Sequence, residues 1–164
     1  RMCYRPGDAG SIPTGGLAVV EGTAFDFRPE RQTTATLGAA IDALPGSADG
    51  TNPGGVDHNL CVRGWQAGDT LRRIVVLRDP TSGRTLEIES NQPGVQVYTG
   101  NYLDGSLTGK GGAVYEKHAG VCLETQCFPD AIHHRGEDGW PAVVLEPGDT
   151  YHHRMVHRFG RSAD

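Results

Sequence analysis

Leu71-Arg-Arg-Ile-Val-Val-Leu77 and Arg84-Thr-Leu-Glu-Ile-Glu89 flank Asp79-Pro-Thr-Ser-Gly83, and this stretch decides the fold class. The two outer segments are rich in β-branched and apolar residues, which is typical of β-strands. The segment between them combines Pro with Gly, which favours a turn. The stretch therefore predicts a β-hairpin.

Other short segments with strand character surround the hairpin and are separated by turns: Leu17–Phe27, Val95–Tyr98, Gly120–Gln126, Val143–Leu145 and Tyr151–Phe159. A parallel sheet needs a crossover helix between most of its strands. Because the sequence predicts one short helix, we expect an all-β fold, an antiparallel β-sandwich in a single domain over residues 1–164.

The predicted helix spans Thr33–Leu44. Leu37, Ile41 and Leu44 recur in it at helical spacing. Thr33 or Thr34 can cap its start, and Pro45-Gly46 ends the pattern.

Composition excludes several functions. The 164 residues carry 15 Lys+Arg against 20 Asp+Glu, a formal net charge of -5, which argues against nucleic-acid or anionic-membrane partners. No apolar run approaches the ~18 residues of a membrane span. The four cysteines, Cys3, Cys61, Cys122 and Cys127, form no CxxC pair, and Arg1–Arg5 holds no apolar export signal, so we expect a cytoplasmic protein.

Glu124 is the first candidate for chemistry. On a strand, the period of two places Cys122, Glu124 and Gln126 on one face, opposite Leu123 and Thr125. A carboxylate on such a polar face can act as a general base. The alternative interpretation is an ordinary exposed glutamate on a strand.

Asp57 and Gln96 are candidates for ligands of a neutral polyol. Asp57-His-Asn59 follows the glycine-containing loop Asn52–Val56, so Asp57 and Asn59 can clamp hydroxyl groups, although an Asx turn accounts for the same letters. The Pro-Gly turn in Gln92–Gln96 points Gln96 and Tyr98 along one side of a strand.

The seven histidines suggest a metal site, but their spacing argues against one. On a strand His153 and His157 share a face at about 13 Å, too far apart for one ion. Arg154, Arg158 and Arg161 lie among them. We therefore expect no metal, and a solvated histidine-rich edge instead.

Six stretches occur together in a specific order: Ile12-Pro-Thr-Gly15, Gly22-Thr-Ala-Phe-Asp-Phe-Arg28, Asp57-His-Asn59, Asn91-Gln-Pro-Gly-Val-Gln-Val-Tyr-Thr-Gly-Asn-Tyr-Leu-Asp-Gly105, Gly109-Lys-Gly-Gly112 and Lys117-His-Ala-Gly-Val-Cys-Leu-Glu-Thr-Gln126. The ordered set resembles the aldose 1-epimerase, or galactose mutarotase, family. The resemblance runs from near Ile12 to near Phe159 and matches the C-terminal half of the family.

The resemblance implies an incomplete β-sandwich of the galactose mutarotase-like supersandwich type. It implies an isomerase of carbohydrate metabolism that interconverts the α and β anomers of a free aldohexose, galactose or glucose, without a cofactor. By motif match Glu124 is the catalytic base, while Asp57 and Gln96 bind the sugar.

The general acid of the family is a histidine in motifs upstream of those found here, and none of the seven histidines of this chain lies in such a motif. His58 and His118 match family residues that flank the site, and neither is assigned as the general acid. Because the chain starts at Arg1, we expect a fragment of a complete mutarotase. The alternatives are a half-length sugar-binding module or pseudoenzyme, and a structural partner.

The segment Asp130–Pro141 is more polar and slightly longer than the family pattern, with Trp140-Pro141 in place of Phe-Pro. If half of a sandwich is absent, apolar residues and strand edges are left open. We therefore expect a shallow groove around Glu124 and self-association through exposed strand edges.

Overall fold

The computed structural model describes residues 3–7, 13–28 and 36–161. These residues form eight β-strands and one α-helix: β1 (Cys3–Arg5), β2 (Ala18–Val19), α1 (Leu37–Asp42), β3 (Asp57–Cys61), β4 (Arg72–Arg78), β5 (Arg84–Ser90), β6 (Gly94–Tyr98), β7 (Cys122–Gln126) and β8 (Met155–Arg161). Two short 3-10 turns, Lys110–Gly112 and Ala131–His134, connect strands. The prediction of an all-β protein with one short helix is confirmed.

The predicted hairpin forms the three-stranded sheet β4-β5-β8. β5 pairs antiparallel with β4 and with β8, so that Leu77, Leu86 and Phe159 lie side by side across the three strands. At the turn, the Asp79 amide donates to the Arg84 carbonyl at 2.9 Å. The backbone therefore closes the turn where Pro and Gly predicted it.

The second sheet has five strands in the order β2-β1-β3-β6-β7. β1 lies between β2 and β3 and pairs antiparallel with both. β3, β6 and β7 are neighbours in this order, and they carry the candidate site residues.

The chain separates into two compact units. The first comprises residues 1–61 and 96–124, and the second comprises 62–95 and 125–164. Val20, Phe25, Val56 and Leu60 belong to the buried core of the first unit, and Ile88 belongs to that of the second. The single domain over 1–164 stays a prediction.

The helix is shorter than predicted. It starts at Leu37, because the Thr36 side chain caps it by accepting from the Ala39 amide at 3.0 Å. The predicted caps Thr33 and Thr34 lie outside the described residues. The helix ends at Asp42, before Leu44.

Three predicted strand segments differ in the structure. Val143–Leu145 forms no strand, and Leu145 is 57% exposed, because alternation alone does not supply a pairing partner. In Leu17–Phe27 only Ala18–Val19 is a strand, since the Thr23 hydroxyl bonds to the Val20 carbonyl and makes a turn. The last strand begins at Met155, so His153 precedes it.

β1 and β3 were not predicted as strands. β3 begins at Asp57, directly after the predicted loop Asn52–Val56. Among the helices of the described part of the chain, none is long and apolar enough to cross a membrane.

Candidate active site

Asp57 and Gln96 are in direct contact across neighbouring strands. Asp57 opens β3 and Gln96 lies in the middle of β6. The Gln96 side-chain amide donates to Asp57 Oδ1 at 2.7 Å. This bond orients the carboxylate through one of its two oxygens.

Glu124 lies on β7, the strand next to β6. Its side chain is exposed, as is Cys122, while Leu123 is half-buried and Thr125 is buried. This alternation agrees with the strand period of two predicted from the sequence. Asp57, Gln96 and Glu124 all belong to the first unit, so one compact body carries the three predicted site residues.

A buried network fixes the backbone immediately before Asp57. The Val56 amide donates to Thr99 Oγ1 at 3.0 Å, and Asn101 Nδ2 donates to the Val56 carbonyl at 3.0 Å. The Thr99 hydroxyl donates to Asn101 Oδ1 at 2.6 Å. Both Thr99 and Asn101 are buried. The sequence analysis included Thr99 and Asn101 in a family motif without giving them a role. Two polar residues directly after β6 were the sequence signal for this network.

The loop before β3 requires glycine at position 55 because of its backbone conformation and its close neighbours. Its φ is +81°, and a Cβ there would lie 2.3 Å from Asn101 Oδ1 and 2.9 Å from His118 Cε1. The loop thus packs tightly on the network. The Asx turn predicted as the alternative for Asp57 occurs instead at Asn52, whose Oδ1 accepts from the Gly54 amide at 2.8 Å.

The two histidines beside the site have structural contacts. His58 packs against Phe25 and Tyr4, with ring centroids 4.2 Å and 6.0 Å away. Burial lowers the pKa of His58, and the nearby Asp57 opposes that change. His118 Nδ1 lies 2.8 Å from the Thr99 carbonyl. Both rings are therefore held by contacts within the first unit.

Asn59 differs from its expected role as a hydroxyl clamp. It is only 2% exposed, and neither its side-chain oxygen nor its nitrogen has a hydrogen-bond partner among the described residues. The strand period places it on the same face of β3 as Asp57. The side-chain amide of Asn59 faces the protein interior. Asn59 is therefore a buried polar residue in this structure and does not present its side chain to a ligand.

The other histidines lie in the second unit and are tied to local partners. His134 stacks on Trp140 at 3.9 Å between ring centroids, and His133 and His134 both lie close to Asp130. His153 Nε2 lies 2.8 Å from Thr125 Oγ1. Within the described ranges, no group of three or more His, Cys, Asp or Glu side chains is placed to hold a metal ion.

The arrangement combines an exposed carboxylate with an oriented carboxylate–amide pair. A carboxylate can remove a proton from a hydroxyl, and the pair can accept and donate hydrogen bonds to neighbouring hydroxyls. The fold and site therefore define a β-sheet protein with a candidate site for a polyhydroxylated ligand.

The family model described as aldose 1-epimerase matches residues 4–158. The chain belongs to the aldose 1-epimerase family. It is 43% identical to human galactose mutarotase over 156 residues, which are 95% of this chain and 41% of the human protein. It is 38% identical to the aldose 1-epimerase of Haemophilus influenzae over 152 residues, or 90% of this chain and 40% of that protein.

Solved structures agree with this assignment. The GalM/aldose epimerase homologue from C. elegans superposes with a TM-score of 0.73 at 25% identity, over 97% of this chain and 43% of that one. The galactose mutarotase-like fold predicted from the sequence is confirmed. The chain spans about two fifths of the length of the curated relatives that it matches.

Proposed function

We propose that this chain supplies the general base and two sugar ligands of an aldose 1-epimerase that interconverts the anomers of a free aldohexose. The contact between Asp57 and Gln96 in the unit that also carries Glu124 supports this proposal most directly. The family resemblance read from the sequence gives the same roles to these three residues, and the chain is 43% identical to human galactose mutarotase.

In the proposed mechanism Glu124 removes the proton from the C1 hydroxyl while an acid protonates the ring oxygen. The C1–O5 bond breaks, the C1–C2 bond rotates, and reversal of the two proton transfers closes the ring on the other face. Concerted transfer at both oxygens avoids a high-energy alkoxide or oxocarbenium species. Asp57 and Gln96 hold the sugar hydroxyls so that C1 stays near Glu124.

We assign no histidine of this chain as the general acid. His58 is packed among aromatic rings, and burial lowers its pKa, which disfavours the protonated form that a general acid requires. His118 is already bound to the Thr99 carbonyl. The proposal therefore assigns the base to this chain and leaves the acid unassigned.

We further propose that the protein acts in the cytoplasm, on galactose or glucose, and without nucleic-acid or membrane partners. The four cysteines are free thiols, which suits a reducing compartment. No step of the mechanism requires a metal or a cofactor.

Polarimetry of freshly dissolved α-galactose and α-glucose tests the proposal in the full natural protein. We expect Glu124→Gln to lower kcat about 10²- to 10⁴-fold with sugar binding retained in calorimetry. Glu146→Gln is the matched control, because Glu146 is an exposed carboxylate in the second unit with only a surface ion pair. Its kcat should equal that of the wild type.

A wild-type protein that binds sugar without accelerating equilibration would be a sugar-binding module, and the proposed catalysis would be wrong. Equal loss of kcat in Glu124→Gln and Glu146→Gln would also remove Glu124 as the base.

A further inference from the structure

Cys3 and Cys61 lie directly opposite each other. They are register partners in the antiparallel pair of β1 and β3. Opposite residues in such a pair point to the same face, and their Cα atoms lie about 4.5–5.5 Å apart. A disulfide requires Cα atoms about 4.4–6.8 Å apart, so the two sulfurs can be joined without moving the backbone. The wide separation of the two cysteines along the sequence hid this pairing.

The partial burial of the two cysteines favours a reaction within the chain over one between chains. Both side chains are half-buried free thiols. Burial raises the pKa of Cys61 to about 11, and the neighbouring Arg5 acts in the opposite direction. Burial therefore disfavours the Cys61 thiolate, so we assign Cys61 as the thiol that reacts second and closes the bridge.

The other two cysteines lie in different places. Cys122 is exposed on β7, and Cys127 follows that strand with its thiol 3.6 Å from Gln92 Oε1. Neither is the register partner of Cys3 or Cys61. The geometry thus selects one pair among the four thiols.

We propose that Cys3 and Cys61 are a modification site at which hydrogen peroxide forms an intramolecular disulfide. The Cys3 thiolate attacks one peroxide oxygen, the O–O bond breaks, and a sulfenic acid and one water form after proton uptake. The Cys61 sulfur then attacks the sulfenic sulfur, the S–O bond breaks, and the hydroxyl leaves as water with the Cys61 proton. Two thiols are oxidised and one peroxide is reduced to two waters.

The bond would act on the strand that carries the candidate site. It would link β1 covalently to β3, and β3 begins with Asp57. Closing a long loop reduces the entropy of the unfolded chain, so the oxidised protein should be more resistant to unfolding while the register of β3 is unchanged.

The experiment uses the full natural protein with Cys122→Ser and Cys127→Ser, so that no other described thiol competes. After treatment with equimolar hydrogen peroxide, we expect non-reducing peptide mapping to find Cys3 joined to Cys61, about 2 Da lighter than the two reduced peptides. The Tm should rise by about 5 °C or more, and dithiothreitol should reverse both changes.

Two further variants identify the order of the steps. With Cys61→Ser, a dimedone probe should label a sulfenic acid at Cys3. With Cys3→Ser, Cys61 should stay unlabelled, and neither variant should show the rise in Tm. Disulfides only between molecules, oxidation to sulfonic acid without a bridge, or labelling of Cys61 in preference to Cys3 would overturn the proposal.

Discussion

The hydrogen bond between Asp57 and Gln96 depends on which atoms of the amide face the carboxylate. Gln96 uses its amide nitrogen to donate to Asp57, while its side-chain oxygen is buried with no described hydrogen-bond partner. A carboxylate at position 96 would place two acceptors against each other.

We therefore expect Gln96→Glu to weaken sugar binding at least tenfold, about 1.4 kcal/mol. Titration calorimetry with galactose and glucose measures this change. Gln126→Glu is the control, since Gln126 is half-buried on β7, and its sugar affinity should remain within twofold of the wild type. Equal weakening in both variants would mean that added charge alone is responsible.

His58 gives the stability of the protein a pH dependence. Burial against Phe25 and Tyr4 lowers its pKa below the ordinary value of 6.5. The unfolded chain then binds more protons than the folded chain between the two pKa values, so the stabilising contribution is complete above pH 6.5 and declines as the pH falls.

We expect His58→Gln to flatten the loss of stability below pH 6.5, by up to about 1.4 kcal/mol per pH unit. Urea unfolding at a series of pH values from 7.5 downward measures it. His157→Gln, on the exposed strand β8, should keep the wild-type slope. A wild-type slope in His58→Gln would remove His58 as its source.

The candidate site could be predicted in part from the sequence. The strand period places Glu124 on the exposed side of β7, and the family resemblance singled out Asp57 and Gln96. The Thr99–Asn101 network could not be predicted, because it depends on contacts between Val56, just before β3, and the segment after β6. The burial of Asn59 likewise depends on tertiary packing. Such contacts leave no periodic pattern in one segment.

Among the elements, β3 shows why a strand can escape detection. Its residues Asp57, His58 and Asn59 are polar or ionisable, so the apolar alternation that marks a half-buried strand is missing. The hairpin was predictable because β4 and β5 are both rich in β-branched and apolar residues around a Pro-Gly turn. Val143–Leu145 is the opposite case. Its apolar residues predicted a strand, but the segment has no partner strand and is irregular.

The loop before β3 should be sensitive at Gly55 in particular. Gly55→Ala adds a Cβ that would overlap Asn101 and His118 at positive φ. We expect at least about 2 kcal/mol of lost stability and reduced sugar affinity, measured by urea unfolding and calorimetry. Gly50→Ala is the matched control, because Gly50 has φ +73° and open space around its Cβ position. Comparable losses in the two variants would show that backbone strain alone matters.

The helix α1 depends on its first hydrogen bond, because it has only six residues. Thr36→Ala removes the side-chain acceptor for the Ala39 amide, and we expect a loss of about 1 kcal/mol. Thr36→Ser keeps the hydroxyl and should lose much less. Thermal unfolding of the two variants decides between them, and an equal Tm would exclude a capping role.

At the scale of the whole molecule, the edge strand β8 carries the most exposed large apolar side chain of the described residues. β8 ends the sheet β4-β5-β8, and its Phe159 is 80% exposed. An exposed edge with a large apolar side chain promotes association between chains. We expect the wild type to self-associate with rising concentration, and Phe159→Lys to lower that tendency in sedimentation velocity. Tyr102→Lys, at 69% exposure away from any strand, is the control, and an unchanged distribution in Phe159→Lys would exclude β8.

The positions of the two tryptophans decide what intrinsic fluorescence can report. Trp65 donates to the Asn91 carbonyl at 2.7 Å and Trp140 stacks on His134, and both belong to the second unit. Asp57, Gln96 and Glu124 belong to the first. An emission-monitored melting curve therefore follows the unit without the candidate site, while the loss of sugar affinity follows the other. Coincident curves would identify one cooperative transition, and separated curves would give the stability of each unit.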